Sequence, residues 1–321
     1  MISVIICTYN RADLLTDVLQ TVCQQTLERS EYEVIVVDNN STDETAAVSH
    51  SFAARYPNVR TCFEPQQGLS HARNRGWREA RGEYVGYIDD DCKVPEGWLA
   101  VAKEIIEHVS PDVFGGPYFA FYNTPKPAWF KDEYGSYEPY SKATLIEGLP
   151  DALHGGNLFL RRELIRKVGG FNPELGMVGG KMAYGEETAL LQHIHTTIPE
   201  ALIYYEPKLL LYHLVRPEKM SIRWLMRHRF TNARYGYRVQ HEDPPQIGRI
   251  GALLRLAKTS LRFVLSLTIE ALFWEREKYP YFQNYLYENA FRHLSTLGWL
   301  YEEYQQVTWQ QSRKQEIGCP F

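Results

Sequence analysis

Cysteine is scarce in this chain and scattered: Cys7, Cys23, Cys62, Cys92 and Cys319 include no C-x-x-C pair among 321 residues. That argues against a disulfide framework and a thiolate zinc site, and suits a reducing compartment. Long apolar runs are also missing; none approaches the roughly 20 residues that a spanning helix needs. Neither sign of charge is in large excess, since 35 Lys+Arg against 39 Asp+Glu leave a net −4, which gives no general pull toward nucleic acid. No G-x-G-x-x-G follows the first apolar run, which argues against a hydride-carrying dinucleotide. The opening Met1-Ile2-Ser3-Val4-Ile5-Ile6 has no basic segment and no cleavage site, so a cytoplasmic protein is expected. What is present, 44% hydrophobic and 13% aromatic residues, belongs to a folded globular chain.

The first hundred residues alternate between short apolar runs and amphipathic stretches. Val4–Cys7, Val34–Val37, Val59–Phe63 and Tyr84–Ile88 read as strands. Residues 12–25, 42–55 and 69–80 read as the helices between them. Continuous apolar strands separated by helices predict an α/β fold whose mostly parallel sheet is covered on both faces. Further on, residues 96–107 predict a helix, Val113–Phe121 a strand, and 122–150 a long irregular loop of the kind that often serves function. A turn at Gly155-Gly156-Asn157 precedes a helix over 161–168 that ends at Gly169-Gly170, where glycine suits the C-cap. Another helix begins near Glu186, and beyond Pro217 the chain turns to long helices rich in Arg, Leu and aromatics.

The chemistry gathers where the predicted strands end. Asp89-Asp90-Asp91 follows the apolar run Tyr84–Ile88, and in an open α/β sheet that edge is where ligands bind. Clustered carboxylates repel, so the site calls for a cation; Mg²⁺ or Mn²⁺ suits oxygen ligands. The first strand ends in Thr8-Tyr9-Asn10-Arg11 and the second in Asp38-Asn39-Asn40-Ser41-Thr42-Asp43-Glu44. Ser41 with Glu44 reads as a capping box, which leaves Asp38 as an acid suited to a base or ribose. Arg73 and Arg75, in the segment Gly68–Gly76, are either an exposed basic helix face or bidentate partners for phosphate.

Together these strand ends resemble one family. "SVIICTYNR", "VIVVDNNSTDET" and "GLSHARNRGWREARGEYVGYIDDDC" look like an inverting nucleotide-sugar glycosyltransferase of family 2 with the GT-A fold, and the resemblance runs over roughly residues 1–215. It implies a nucleotide-sugar-binding half at 1–95, an acceptor-binding and catalytic half at 96–216, and a helical extension at 217–321. It implies that Thr8, Tyr9, Asn10, Arg11 and Asp38 hold the nucleoside, with Asn39, Gly68 and Asp90 also on the nucleotide side. Asp89 and Asp91 form the D-x-D motif with metal and diphosphate contacts, and Arg73 approaches the diphosphate. "HGGNLFLRRELIRKVGGFNPEL" is similar to the acceptor-side unit, and Gly155-Gly156 there permits close backbone approach to a sugar.

At Gly185-Glu186-Glu187 the family reads Glu-Asp, whose second acid is the general base. Glu187 takes that role by analogy, Glu186 is its neighbour and alternative, and a helix-capping pair is the other reading. His213 is either a hydrogen-bonded structural residue or a metal ligand whose nitrogen would favour Mn²⁺. Trp98 is either core or a sugar platform. The implied partners are a nucleotide-diphosphate sugar, with UDP-sugar favoured, and a glycan or lipid-linked acceptor.

Arg223, Arg227, Arg229, Arg234 and Arg238, then Arg249, Arg255, Lys258 and Arg262, accompany apolar helical faces. This suggests peripheral contact with an anionic membrane at its inner face. The rivals are a nucleotidyltransferase, disfavoured because Thr8-Tyr9-Asn10 is no phosphate-gripping glycine loop, and a non-catalytic sugar-nucleotide binder or scaffold.

Overall fold

The computed structural model describes residues 1–148, 152–241 and 247–317, with side chains through Trp309. Cys7, Cys23, Cys62 and Cys92 are free thiols; Cys319 lies outside the described residues, as do the last two positions of the 122–150 loop. The chain divides into two compact units, a larger one of Met1–Asn123, Asp132–Lys181 and Glu186–Val215, and a smaller one of Thr124–Lys131, Met182–Gly185 and Arg216–Phe321.

In the larger unit the apolar runs form strands β1 (Ile2–Thr8), β2 (Tyr32–Asp38), β3 (Val59–Phe63) and β4 (Tyr84–Asp89). Helices α1 (Ala12–Cys23), α2 (Thr45–Arg55) and α3 (Leu69–Glu79) connect them. After β4 come β5 (Cys92–Lys93), α4 (Trp98–His108), β6 (Val113–Gly115), β7 (Tyr118–Phe121), β8 (Thr144–Leu145) and β9 (Asn157–Arg161). The unit ends with α5 (Arg162–Val168), α6 (Glu186–Thr197), β10 (Ile203–Tyr205) and β11 (Leu211–Leu214).

Among the described residues one sheet has eight strands in the order β3-β2-β1-β4-β9-β6-β10-β8. Strands β3, β2, β1, β4, β6 and β10 run one way, while β9 and β8 oppose them. Alternation along β1 sends Val4 and Ile6 to one face, packed with Leu15, Val18 and Trp98. Ile5 goes to the other, packed with Ala72, Leu164 and Leu191. Both faces are dry, which is why these strands carry no polar alternation. Trp98 is core: it is 1% exposed, and its indole N–H donates to Asn157 Oδ1 at 3.2 Å.

Two local expectations need correction. Val113–Phe121 is two strands, because Pro117 has no N–H and Gly116 lies so near the Leu209 carbonyl that a Cβ would meet it at 2.2 Å. The chain breaks there, β6 joins the large sheet, and β7 joins a second sheet ordered β5-β11-β7. The capping box of Ser41 and Glu44 does not form. Helix α2 begins at Thr45, whose N–H donates to Asp43 Oδ1 at 3.0 Å, while the Ser41 hydroxyl accepts the Asn10 N–H at 2.9 Å. The expected C-cap is present: Gly169 ends α5 in the left-handed region at φ 85°.

The smaller unit holds α7 (Ile222–Gln240), α8 (Arg249–Leu267), the short α9 (Ile269–Leu272) and α10 (Phe282–Tyr285), and α11 (Arg292–Ile317). Helix α11 packs along α7 and α8. Several cations of the expected basic face are used internally. Arg234 and Arg238 pair with Glu302 at 2.8 and 2.6 Å, and Arg255 pairs with Glu303 at 3.0 Å.

Candidate active site

Strand register sets the site. Thr8 lies beside Asp38 across β1 and β2, and Cys7 lies beside Asp89 across β1 and β4, so three strand ends meet at one edge. The turn after β1 is stitched to the turn after β2: the Asn10 side-chain oxygen accepts the Thr42 N–H at 2.7 Å, and the Ala12 N–H donates to Asp43. Asp38 accepts the Ser41 N–H at 2.9 Å, which ties its carboxylate into this turn. Asn39 and Gly68 meet each other: Asn39 Oδ1 accepts the Gly68 N–H at 2.7 Å, while its amide donates to the carbonyls of Glu64 and Gln66. Their observed work is to shape the loop leading into α3. Tyr9 is partly exposed at the same edge.

The acidic run divides its labour. Asp90 is buried and grips Arg11, Nη1 to Oδ1 at 2.5 Å, with Asp91 3.6 Å from the same nitrogen. Burial lifts the Asp90 carboxyl to about 6, against the lowering effect of Arg11 and with Asp91 adding to the rise. Asp91 Oδ1 lies 3.3 Å from His213 Nε2. The small sheet delivers that histidine, since β11 pairs His213 with Cys92 of β5 and with Ala120 of β7. One ligand atom each from Asp89, Asp91 and His213 lies within 4.8 Å of the others. Two carboxylates and one imidazole form a donor set that fits a divalent cation such as Mn²⁺ or Mg²⁺.

Arg73 spans from this trio to the start of α6. It is 3% exposed, with Nη1 2.9 Å from Glu186 Oε1 and Nη2 3.6 Å from Asp89 Oδ1. Its guanidinium also lies over the rings of Phe171 and Tyr87. Burial alone would lower the Arg73 pKa, but Glu186 and Asp89 outweigh it and raise it further. Burial and then Glu187 raise the Glu186 carboxyl to about 8, with Arg73 pulling the other way. Even with Glu186 protonated, the carboxylates of Asp89, Asp90, Asp91 and Glu187 outnumber the guanidiniums of Arg11 and Arg73. The surplus negative charge is what a cation would balance.

Gly155 and Gly156 leave room for the protein's own side chains. A Cβ on Gly155 would meet the Arg73 guanidinium at 2.6 Å, and one on Gly156 would meet Asp89 Oδ2 at 2.5 Å. Pairing of Asn157 with Ile88, at the start of β9, brings this turn to the trio of Asp89, Asp91 and His213.

One residue escaped the sequence reading. His154, just before the glycines, has its ring edge-on to Tyr137 at 4.3 Å and Tyr118 at 5.3 Å. Its Nε2 is buried and makes no hydrogen bond among the described residues. Burial lowers its pKa, while Glu187 and Asp89 pull it upward. The quoted "HGGN" was the available signal, but spacing alone assigns that histidine no neighbour.

The larger unit is thus an α/β sheet with an acidic cluster where its parallel strands end. The family model for Glycosyl transferase family 2 matches residues 3–169, more than half of the chain, and the chain belongs to that family. It is 32% identical over 177 residues to glycosyltransferase AglE of Haloferax volcanii, covering 53% of this chain and 55% of that protein. It is 27% identical over 209 residues to a glucosyl-dolichyl phosphate glucuronosyltransferase of the same organism, covering 63% and 66%. The matches thus span about half to two thirds of those relatives' length. Identity to the succinoglycan biosynthesis protein ExoM of Rhizobium meliloti is 25% over 231 residues, covering 71% of each.

Among solved structures, the mannosyltransferase PcManGT from Pyrobaculum calidifontis, in complex with GDP-Man and Mn²⁺, matches with TM-score 0.58 at 18% identity. The match covers 96% of this chain and 87% of that one. S. aureus TarS 1–349 with UDP-GlcNAc matches with TM-score 0.56 at 18% identity over 97% and 92%. The shared fold is GT-A.

Proposed function

We propose that this protein is a metal-dependent inverting glycosyltransferase. It moves a sugar from a nucleotide-diphosphate donor, with a UDP-sugar favoured, to a hydroxyl of a glycan or lipid-linked acceptor. The observation that carries this reading is the joining of Asp89, Asp91 and His213, through Arg73, to the Glu186-Glu187 pair. A relative named for succinoglycan biosynthesis and another named as a glucosyl-dolichyl phosphate glucuronosyltransferase support the acceptor class.

In this reading Thr8, Tyr9, Asn10, Arg11 and Asp38 receive the nucleoside at the edge where β1 and β2 end. Asp89, Asp91 and His213 would hold the cation, which supplies positive charge against the departing diphosphate. Glu187, partly exposed where Glu186 is buried, takes the proton from the acceptor hydroxyl. The acceptor oxygen forms its bond to the anomeric carbon as the carbon–phosphate-oxygen bond breaks. The bonding pair leaves with the diphosphate, and the configuration inverts in one displacement. Glu186 and Arg73 hold Glu187 and Asp89 at fixed separation, so donor and acceptor meet in line.

The test is a thermal-shift and hydrolysis panel of UDP-, GDP-, dTDP- and CMP-sugars with and without Mn²⁺. One nucleotide class should stabilise the protein only with metal and release sugar slowly. No nucleotide effect with any metal would refute the proposal and favour a binding or scaffold role.

A further inference from the structure

Helix α8 is sorted against the usual order. The residues it buries are Ala252, Thr259 and Ser266, seven apart, while Ile250, Leu253, Leu254, Leu261 and Val264 are between 50% and 77% exposed. At 3.6 residues per turn those five share one face. The exposed apolar surface continues past the helix end to Leu272 and Phe273, each 79% exposed. A contiguous apolar patch of this kind marks an interaction site.

The charges decide what covers it. The segment 249–267 has no acidic residue. Arg255 is drawn inward to Glu303, but Lys258 and Arg262, four apart and exposed, carry no ion pair among the described residues and border the leucine face. No helix among the described residues is long and apolar enough to cross a membrane. We propose that α8 and the segment through Phe273 lie in the plane of an anionic bilayer. The leucine face would enter the acyl boundary, and Lys258 and Arg262 would reach the lipid phosphates. The leucine face of α8 is bordered by cations, with Glu270 the single acid in the segment that follows it to Phe273, and such a face is complementary to an anionic surface. A second copy of this chain would set those cations against their like. The surface would act in the same way whichever sugar is transferred.

Flotation of the full chain with phosphatidylcholine vesicles, alone or mixed with phosphatidylglycerol, tests this. Binding should require the anionic lipid and weaken as salt rises. Lys258→Glu with Arg262→Glu should cut partitioning about 25-fold or more, roughly fivefold for each lost cation. Leu254→Asp with Leu261→Asp should abolish binding, while circular dichroism and the nucleotide-sugar thermal shift stay unchanged. No flotation of the wild type at low salt would overturn the proposal. So would a sedimenting dimer that the leucine variant dissolves while vesicle binding persists, since the face would then be a self-interface.

Discussion

Replacing Arg73 with Met preserves most of the side-chain length and deletes the charge between two halves of the site. The Arg73 and Glu186 side chains are 4% and 6% exposed, so water cannot stand in for the guanidinium. Above pH 8, where Glu186 is ionised, removing one partner of this buried pair costs about 3–5 kcal/mol. Asp89 is 3.6 Å away but its side chain is 38% exposed, so solvent screens it and it adds little. At roughly 2–4 °C per kcal/mol for a large domain, the melting temperature should fall by about 6–20 °C.

The loss should also depend on pH. Glu186 is raised from 4.5 to about 8 by burial and by Glu187. The folded protein therefore holds a proton that the unfolded chain releases, and stability falls as pH rises through that window. Without Arg73 the carboxyl is raised further, so the deficit of the variant is largest above pH 8 and shrinks as pH falls below it. Denaturant titrations on either side of that value would measure it. Above pH 8, adding Glu186→Gln should recover most of the loss, because a neutral pair replaces a stranded charge. A deficit below about 1 kcal/mol, or one flat with pH, would refute the argument that this pair holds the site together.

Further outcomes follow from the same geometry. Glu187→Gln should lower transfer by about 10²–10⁴-fold in kcat and leave donor-induced thermal stabilisation intact, as loss of a general base requires. Full turnover would move the base to Glu186 or remove it. Asp91→Asn or His213→Ala should abolish the Mn²⁺-dependent part of nucleotide stabilisation, read by thermal shift; an unchanged metal response would place the cation elsewhere. Gly156→Ala should weaken that metal response by displacing Asp89, whose Oδ2 lies 2.5 Å from the added Cβ, yet change the melting temperature of the metal-free protein little because Asp89 is partly exposed.

The sequence by itself determined the alternation of strands and helices through Glu79, because dry strands and amphipathic helices leave opposite periodicities. It also placed Asp89 and Asp91 at a strand end, because the apolar run Tyr84–Ile88 stops there. Tertiary structure decided what spacing cannot carry. Parallel register brought Thr8, Asp38 and Asp89 to one edge from segments some thirty to fifty residues apart. A second sheet, formed only because the chain breaks at Gly116-Pro117, set His213 beside Asp91. Of the two readings of Arg73, the exposed basic face is excluded, because the fold buries it against Glu186, 113 positions away in the chain. Its partners, like the vacant hydrogen-bonding nitrogen of His154, exist only where distant segments converge, and no local pattern of residues records that convergence.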